Sequence, residues 1–404
     1  MRFIKAKIFI FAFLLLFIFF FSNDFGLIDI EKTAIITALA LDTDESGEYE
    51  YEITAQIAVP EARQINTENQ KAQVSGKGNT VGSALKNIGD VSGWFPKLAF
   101  CNIIIIGNGL DGTNVIKVLD YFSKTLRVQD SALVIKSEKT AKEILEKTTP
   151  LDNISAFALQ KILFKNPGFD MDIAEVDVKT FCSGYYSPCG SSFMPIIKIV
   201  EEESSSGGSG GNGGNGSNGG GQSSGEQQKE KPVVFDATTT ALYKNGYLVG
   251  TLNKEETFAR NSLYEDFYNT TFEVNNVVED GEERNYLLTI KRCVPKIEIS
   301  ASDTAVKLSV SLDLYCKISD LNSSSSDATY EKNQTLPVSV KLAAEQKFGK
   351  SLNALIKSSI NTGCDFFSIK ESLYRYHNKY YKKYKETYLN KLQYSVKVNV
   401  TGQK

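Results

Sequence analysis

The sequence predicts a mixed α/β (α+β) protein in which an N-terminal membrane anchor precedes several mixed-sheet domains, with long C-terminal helices packed on a sheet. Three observations support this fold class. An unbroken apolar run, Ile8–Phe21, lies near the start; segments with strand and helix periodicity alternate after it; and a Gly/Ser-rich tract, 201–231, divides them. We therefore expect an anchor over 1–25, an N-terminal α/β region over 27–200 and a C-terminal α+β domain over 232–402.

The N-terminal run has the features of a signal anchor or a signal peptide. Arg2, Lys5 and Lys7 precede the run Ile8–Phe21. As a helix this run spans about 21 Å, short of a ~30 Å hydrocarbon core, and extending it back to Ile4 brings it near spanning length. No small-x-small cleavage site follows, which favours an uncleaved anchor. The basic residues on the short N-terminal side place the bulk of the chain outside the cytoplasm.

The Gly/Ser-rich tract has no apolar residue between Glu203 and Lys229. This composition predicts a flexible coil, because the tract cannot bury enough apolar surface to offset the entropy of ordering it. It lacks the Gly-Lys-Ser/Thr ending of a phosphate-binding loop. Both an interdomain linker and a surface-loop insertion fit the sequence.

The region before the tract alternates strands and helices. Between Glu48 and Val59, apolar and polar residues alternate with the period of two that marks a half-buried strand. Helices are predicted at Asn79–Val91, Thr113–Thr125, Thr140–Glu146 and Asn153–Phe164, and strands at Ala34–Asp42, Glu48–Val59, Leu98–Ile106, Ser131–Lys136, Met171–Thr180 and Phe193–Val200.

The region after the tract starts with a hairpin around Asn245-Gly246, a dipeptide that favours a two-residue turn. Further on, apolar residues recur at three- and four-residue steps from Ala344 to Ile360, which predicts a long amphipathic helix. A second long helix is predicted from about Ser368 to Lys391. The other predicted elements are a helix at Glu255–Leu263 and strands at Asp236–Tyr243, Tyr247–Leu252, Tyr286–Ile290, Pro295–Ser300, Ala305–Ile318 and Tyr394–Val400.

Composition and motif content exclude several classes of function. The 404 residues include 45 basic and 48 acidic residues, for a net charge of −3, so we expect no nucleic-acid partner. The one histidine, His377, cannot supply a multi-histidine metal site, and the zinc-protease motif His-Glu-x-x-His is absent from the sequence. We identify no catalytic, cofactor-binding or metal-ligating residue, and we expect neither enzymatic activity nor a cofactor.

A glycine motif resembles a nucleotide-binding signature. Gly107–Gly112 reads G-x-G-x-x-G between a predicted strand and a predicted helix. The acidic residue that would hold a ribose, Glu138, comes later than the usual spacing. We interpret the motif as a strand-to-helix turn, with Asp111 or Thr113 capping the helix.

The last predicted helix mixes basic residues with tyrosines. Such a surface could bind anionic lipid headgroups or nucleic acid, and lipid is the better of the two for a chain with a secretory N-terminus. Alternatively, the side carrying Leu373, Tyr376, Tyr380 and Tyr384 packs on a sheet while the basic residues are solvated. Those basic residues are Lys370, Arg375, Lys379, Lys382, Lys383, Lys385 and Lys391.

The six cysteines contain no C-x-x-C pair, so the sequence does not predict a zinc site. Outside the cytoplasm some of them could form disulfides, and Cys182–Cys189 and Cys293–Cys316 are the first pairs to test. Buried free thiols are the alternative.

The order of several segments resembles the Ger(x)C family, the C subunits of nutrient germinant receptors in spore-forming bacteria. The resemblance rests on the strand ending Gln56–Pro60, the helix Thr80–Ile88, the hairpin and helix Ala241–Thr257, and the helix break at Cys364–Phe367. It implies a non-enzymatic, membrane-associated subunit that works beside integral-membrane A-type and B-type subunits. One residue departs from the family pattern, because Leu27 stands where members usually carry a lipid-accepting cysteine.

We therefore expect a spore germinant receptor subunit, located at the spore inner membrane or cell membrane with its bulk on the extracytoplasmic side. It would contact its partner subunits, and membrane lipid through its N-terminal segment. The alternative is an extracytoplasmic small-ligand-binding or hydrolytic protein that uses an interdomain pocket.

Overall fold

The structure is a computed structural model of the whole chain. It describes residues 7, 9–17, 33–58, 72–125, 128–152, 154–164, 171–201, 233–264, 269–279, 281–323 and 335–402. Most of the predicted anchor, 1–25, and nearly all of the Gly/Ser tract, 201–231, lie outside these residues. Residues 9–17 are helical with exposed side chains. Within the described part of the chain, no helix has both the length and the apolar character needed to cross a bilayer.

The described residues form two β-sheets with helices packed on them, which confirms the mixed α/β class. The helix over 9–17 is α1. The other helices are α2 (Val81–Ser92), α3 (Ile116–Thr125), α4 (Ala141–Glu146), α5 (Ser155–Leu163), α6 (Val178–Tyr186), α7 (Lys254–Tyr264), α8 (Val338–Thr362), α9 (Ile369–Tyr376) and α10 (Asn378–Tyr384).

The first sheet contains strands from both sides of the Gly/Ser tract. Its strands run in the order β3-β2-β1-β5-β6-β7-β8-β9, and β4 pairs with β1. They are β1 (Thr33–Thr43), β2 (Tyr51–Ala58), β3 (Ala72–Gly78), β4 (Phe95–Lys97), β5 (Ile103–Ile106), β6 (Leu133–Ser137), β7 (Ser191–Glu201), β8 (Val233–Lys244) and β9 (Tyr247–Leu252).

The central strands of the first sheet are parallel and covered on both faces. β5 lies between β1 and β6, and its residues Ile103–Ile106 are all buried. Ile104 and Ile106 join the core beneath α2, α3 and α6, whereas Ile103 and Ile105 join the core beneath α4 and α5. A continuous run of isoleucines suits such a strand, because neither of its faces meets water.

The Gly/Ser tract connects two neighbouring antiparallel strands of this sheet. β7 pairs with β8, and Glu201 at the end of β7 lies opposite Val233 at the start of β8. β8 and β9 then form the hairpin predicted at Asn245-Gly246, and both turn residues have positive φ, as that turn requires.

The second sheet carries the long C-terminal helix. Its order is β10-β11-β12-β13, with β10 (Thr270–Glu279), β11 (Glu282–Ala301), β12 (Val306–Ser323) and β13 (Leu392–Gly402). The stripe predicted for α8 is confirmed, since Ala344, Phe348, Leu352 and Ile356 are all buried in the core over this sheet. α8 ends where Gly363 adopts a left-handed conformation.

The strand predicted at Met171–Thr180 is wrong, because α6 begins within it. Asp177 caps this helix by accepting a hydrogen bond from the Thr180 amide at 2.6 Å. In the preceding segment, the buried Asn261 side chain donates to the carbonyls of Met171 (2.7 Å) and Ile173 (2.9 Å). A side chain therefore provides hydrogen bonds that a neighbouring strand would have supplied.

The second long helix, predicted from Ser368 to Lys391, is also wrong, because it breaks at His377 into α9 and α10. His377 leaves the helical conformation with φ −132°. The break changes which tyrosines face the core, so that Tyr376 is 75% exposed while Tyr384 and Tyr388 are buried.

Three further differences concern strands. The segments Tyr286–Ile290 and Pro295–Ser300 belong to one continuous strand, β11. The predicted strand Leu98–Ile106 begins only at Ile103, after a 3₁₀ turn over Leu98–Phe100. The structure also contains β3, β4 and β10, which the sequence analysis does not predict.

Candidate functional site

The glycine motif packs against the end of β1. A Cβ atom on Gly107 would overlap the Asp42 carboxylate, and one on Gly109 would overlap the Thr43 hydroxyl, whereas one on Gly112 would meet open space. The first two glycines are therefore required for close packing within the protein rather than for the approach of a ligand.

The N-terminus of α3, where a pyrophosphate would bind in a nucleotide fold, is occupied by protein groups. The Val115 amide donates to the Gly246 carbonyl at 2.9 Å, so the turn between β8 and β9 covers this helix end. The Asn114 side chain accepts from the Ile116 amide at 3.1 Å. The predicted caps are wrong: Asp111 forms an ion pair with Lys136 at 2.6 Å, and the Thr113 hydroxyl donates to the Leu110 carbonyl at 2.9 Å.

Asp42, at the end of β1, caps the neighbouring helix α4. Its carboxylate accepts hydrogen bonds from the Ala141 amide at 2.7 Å and the Lys142 amide at 2.9 Å. Burial raises the pKa of Asp42, and the two amides oppose that shift. The Asp42 carboxylate, against which Gly107 packs, thus has a structural role.

A polar cluster joins the first sheet to the C-terminal helices; we call it the Asp365 junction. Asp365 is only 4% exposed. Its carboxylate accepts from the Ile369 amide at 3.0 Å and the Lys370 amide at 2.9 Å, and so caps α9. The Cys189 thiol donates to the same carboxylate at 3.3 Å, and the Asp365 amide donates to the Ser191 hydroxyl at 2.9 Å.

The junction is extended by Cys364 and Lys244. The Cys364 thiol faces the Tyr243 carbonyl at 3.5 Å, and the Lys244 ammonium donates to the Cys189 carbonyl. Burial raises the pKa of the Cys189 thiol and, to about 12, that of Cys364, while burial lowers the pKa of Lys244. These thiols are protonated at neutral pH, which suits a packing role better than nucleophilic chemistry.

All six cysteines are free thiols in the structure, so neither Cys182–Cys189 nor Cys293–Cys316 is a disulfide. Five of the six are buried. His377 lies at the break between α9 and α10. Across the described ranges, no group of three or more His, Cys, Asp or Glu side chains is arranged to hold a metal ion.

A cleft of about 420 Å³ lies between α7, α8 and β10. Its floor is aromatic: the Phe348 ring lies 4.9 Å from the Phe272 ring and 5.6 Å from the Phe258 ring, between centroids. The ion pair between Asp172 and Lys254, at 2.8 Å, lies on its rim. Asp172 comes from region 27–200, and the other lining residues come from region 232–402.

The basic and aromatic surface of α9 and α10 is partly packed. Leu373 and Tyr384 are buried, as the packing alternative predicts, but Tyr376 is not. Lys383 donates to the Asp303 carbonyl at 2.6 Å, and the Tyr384 hydroxyl donates to the Ser302 carbonyl at 3.1 Å. These contacts fix the helices to the loop before β12.

Comparisons with known proteins identify both regions of the chain. Residues 27–199 match the family model described as "Spore germination protein N-terminal domain", and residues 238–403 match "Spore germination B3/ GerAC like, C-terminal". A crystal structure of the GerBC protein shares 15% sequence identity with this chain, covering 93% of it and 100% of that chain, with a TM-score of 0.49. No curated protein matches. The two family models together span most of the sequence, and the chain therefore belongs to the Ger(x)C family of spore germination proteins, the C subunits of germinant receptors.

Proposed function

We propose that this chain is a non-enzymatic, membrane-associated subunit of a spore nutrient germinant receptor, and that it acts by assembling with integral-membrane A-type and B-type subunits. The observation that carries the proposal is that both regions, 27–199 and 238–403, match domains of one spore germination family. Family membership supplies the role, and the physical features below agree with it.

The chemistry of the described residues suits binding better than catalysis. Burial raises the pKa of Cys101 to about 12 and that of Cys182 to about 11, so these thiols are not activated nucleophiles. The glycine motif and the Asp365 junction are both satisfied by contacts within the protein. An assembly role requires no reactive group.

Membrane attachment through the N-terminal segment is part of the proposal, with the bulk of the chain on the extracytoplasmic side. Support comes from the uninterrupted apolar sequence Ile8–Phe21 and from the exposed apolar side chains of α1. Replacing both Leu14 and Leu16 by arginine should release the full-length chain into the soluble fraction, because each arginine costs about 2.5–3.5 kcal/mol at the centre of an inserted helix. Lys7→Arg is the matched control and should remain with the membrane.

Deletion and complementation in the native spore test the role itself. Spores that lack the chain should fail to germinate with the nutrient that this receptor detects, and the intact chain should restore the response. Germination by a trigger that bypasses nutrient receptors should be unaffected. A normal nutrient response in the deletion strain would argue against the proposal.

The aromatic cleft supports a second candidate function, the binding of a small ligand. Its volume, about 420 Å³, lies within the range of small-molecule sites, and its aromatic floor with a charged rim could hold a molecule with an apolar body and a polar end. Ligand-observed NMR with the full-length chain and mixtures of amino acids, nucleosides and sugars would test it. Binding that is lost in Phe258→Ala would support this function.

A further inference from the structure

Five large apolar residues at the end of α2, in and around β4 and at the start of β1 are exposed; we call them the Trp94 patch: Ile35, Val91, Trp94, Phe95 and Phe100. The exposed fractions are 69% for Val91, 38% for Trp94, 46% for Phe95, 51% for Phe100 and 36% for Ile35. The sequence from 91 to 100 is Val-Ser-Gly-Trp-Phe-Pro-Lys-Leu-Ala-Phe, with one charged side chain. Such a concentration of exposed large apolar residues indicates a contact surface.

The backbone holds this patch in place. α2 ends at Ser92, and Gly93 adopts a left-handed conformation with φ 71°, its amide donating to the Gly89 carbonyl at 2.9 Å. This turn directs the chain into β4, which pairs with the first residues of β1. Phe95 therefore belongs to a strand of the sheet, and Trp94 directly precedes that strand.

Pairing with β1 adds to the apolar surface. Phe95 lies opposite Thr33, and Lys97 lies opposite Ile35. Residues that are directly opposite or two apart share a face of a sheet, so Phe95, Lys97 and Ile35 project from the same face. All three are exposed. Two large apolar side chains therefore stand beside one lysine.

The position of the patch in the chain bears on which partner it could contact. β1 is the first strand that the structure describes after the N-terminal apolar segment, and it enters the sheet beside Phe95. Only residues 18–32 separate the described part of α1 from that strand. A chain attached to a bilayer through the apolar segment would thus hold this end of the sheet within about 50 Å of the lipid surface, the reach of fifteen extended residues.

The composition of the patch fits the same environment. Tryptophan is favoured at the level of lipid headgroups, because its ring has both apolar surface and a polar N–H group. Lysine next to apolar side chains can extend to the phosphates while its stem packs against the hydrocarbon. We propose that the Trp94 patch rests on the membrane surface, with Trp94, Phe95 and Phe100 at the boundary between headgroups and acyl chains.

The inference rests on the membrane attachment in the proposed function, and Trp94 is the chain's single tryptophan, so its fluorescence can test the contact directly. Full-length protein is reconstituted into phosphatidylcholine and phosphatidylglycerol vesicles, with and without lipids brominated near the headgroup. Flotation reports attachment, and quenching reports the contact. We expect bromolipids to quench the Trp94 emission, because an interfacial tryptophan lies at the level of the headgroups.

A matched control moves the tryptophan to an exposed site elsewhere. In the variant Trp94→Phe with Val278→Trp, the new ring replaces a side chain that is 62% exposed, next to the acidic residues Glu279, Glu282 and Glu283. Anionic lipid should repel that site, so its emission should be unaffected by bromolipids. A second variant, Phe95→Ser with Phe100→Ser, changes only exposed side chains and should weaken the quenching of Trp94.

The outcomes distinguish contact of the Trp94 patch with lipid from attachment of the chain to the membrane. Flotation with Trp94 quenching supports the inference. Flotation without quenching overturns it and leaves the membrane attachment standing, whereas absence of flotation overturns both. A blue-shifted Trp94 emission that bromolipids do not quench would mean that a second copy or another protein covers the patch, and this also overturns the inference.

Discussion

Replacing Asp365 by alanine tests whether the Asp365 junction holds the C-terminal helices to the first sheet. The change removes the acceptor for the Ile369 and Lys370 amides, and loss of such a cap costs about 0.5–2 kcal/mol. It also leaves the buried Ile369 amide without its partner, at about 1–3 kcal/mol. Because the two costs overlap at one amide, we expect local opening to become easier by about 1–4 kcal/mol. The open population would then rise about 5- to 700-fold.

Alkylation rates of individual cysteines, followed by mass spectrometry, measure this opening. Cys189 and Cys364 are buried in the junction and should react only when it opens. Asp365→Asn removes the same charge but keeps one acceptor oxygen, so its rates should rise only about 5- to 30-fold. Cys101, in the core of the first sheet, is the internal control. Unchanged rates at Cys189 and Cys364 in Asp365→Ala, or an equal acceleration at Cys101, would refute the reasoning.

Three further predictions concern the glycine motif, the buried carboxylate of Asp44 and the Gly/Ser tract. Gly107→Ala should destabilise the chain by about 1–3 kcal/mol in urea unfolding, because its Cβ would overlap the Asp42 carboxylate, and Gly112→Ala should leave the unfolding midpoint almost unchanged. A hydrogen bond from Lys77 lowers the pKa of Asp44 from 3.8, so Asp44→Asn should destabilise the protein at pH 7, and the difference from wild type should shrink as the pH falls below 3.8. An unchanged difference at pH 3 would contradict that cause. We also propose that the Gly/Ser tract is a loop insertion within one sheet, so that proteolysis there should yield two fragments that stay together without denaturant; fragments that separate would favour a linker.

Features set by local sequence could be predicted. The hairpin at Asn245-Gly246 follows from a dipeptide that tolerates positive φ, and the buried stripe of α8 follows from helical spacing. The alternating strand Tyr51–Ala58 was equally clear. In each case the residues that determine the element are neighbours in the sequence.

Features set by distant partners could not be predicted. In β3, Gly76 weakens the strand signal, and the structure explains this glycine, since a Cβ there would overlap Ala84 and Ile88 of α2. In β10, a register shift between Val274 and Val277 interrupts the alternation on which strand prediction depends.

The Asp365 junction shows the same limit for a site. The sequence indicated a helix break at Cys364–Phe367, but the partner thiol of Asp365 belongs to Cys189, 176 residues away. No local pattern connects the two residues. The family resemblance, by contrast, was accessible because it depends on the order of segments along the chain.

Affinity purification of the full-length chain from spore membranes in mild detergent, with quantitative mass spectrometry, tests the central claim most directly. Assembly as a receptor subunit predicts that two integral-membrane germination proteins co-purify with the tagged chain and are absent from an untagged control. The Asp365→Ala variant is purified in parallel, because this substitution should loosen the Asp365 junction between the two regions. Recovery of the intact chain from the membrane without any integral-membrane germination protein would contradict the account.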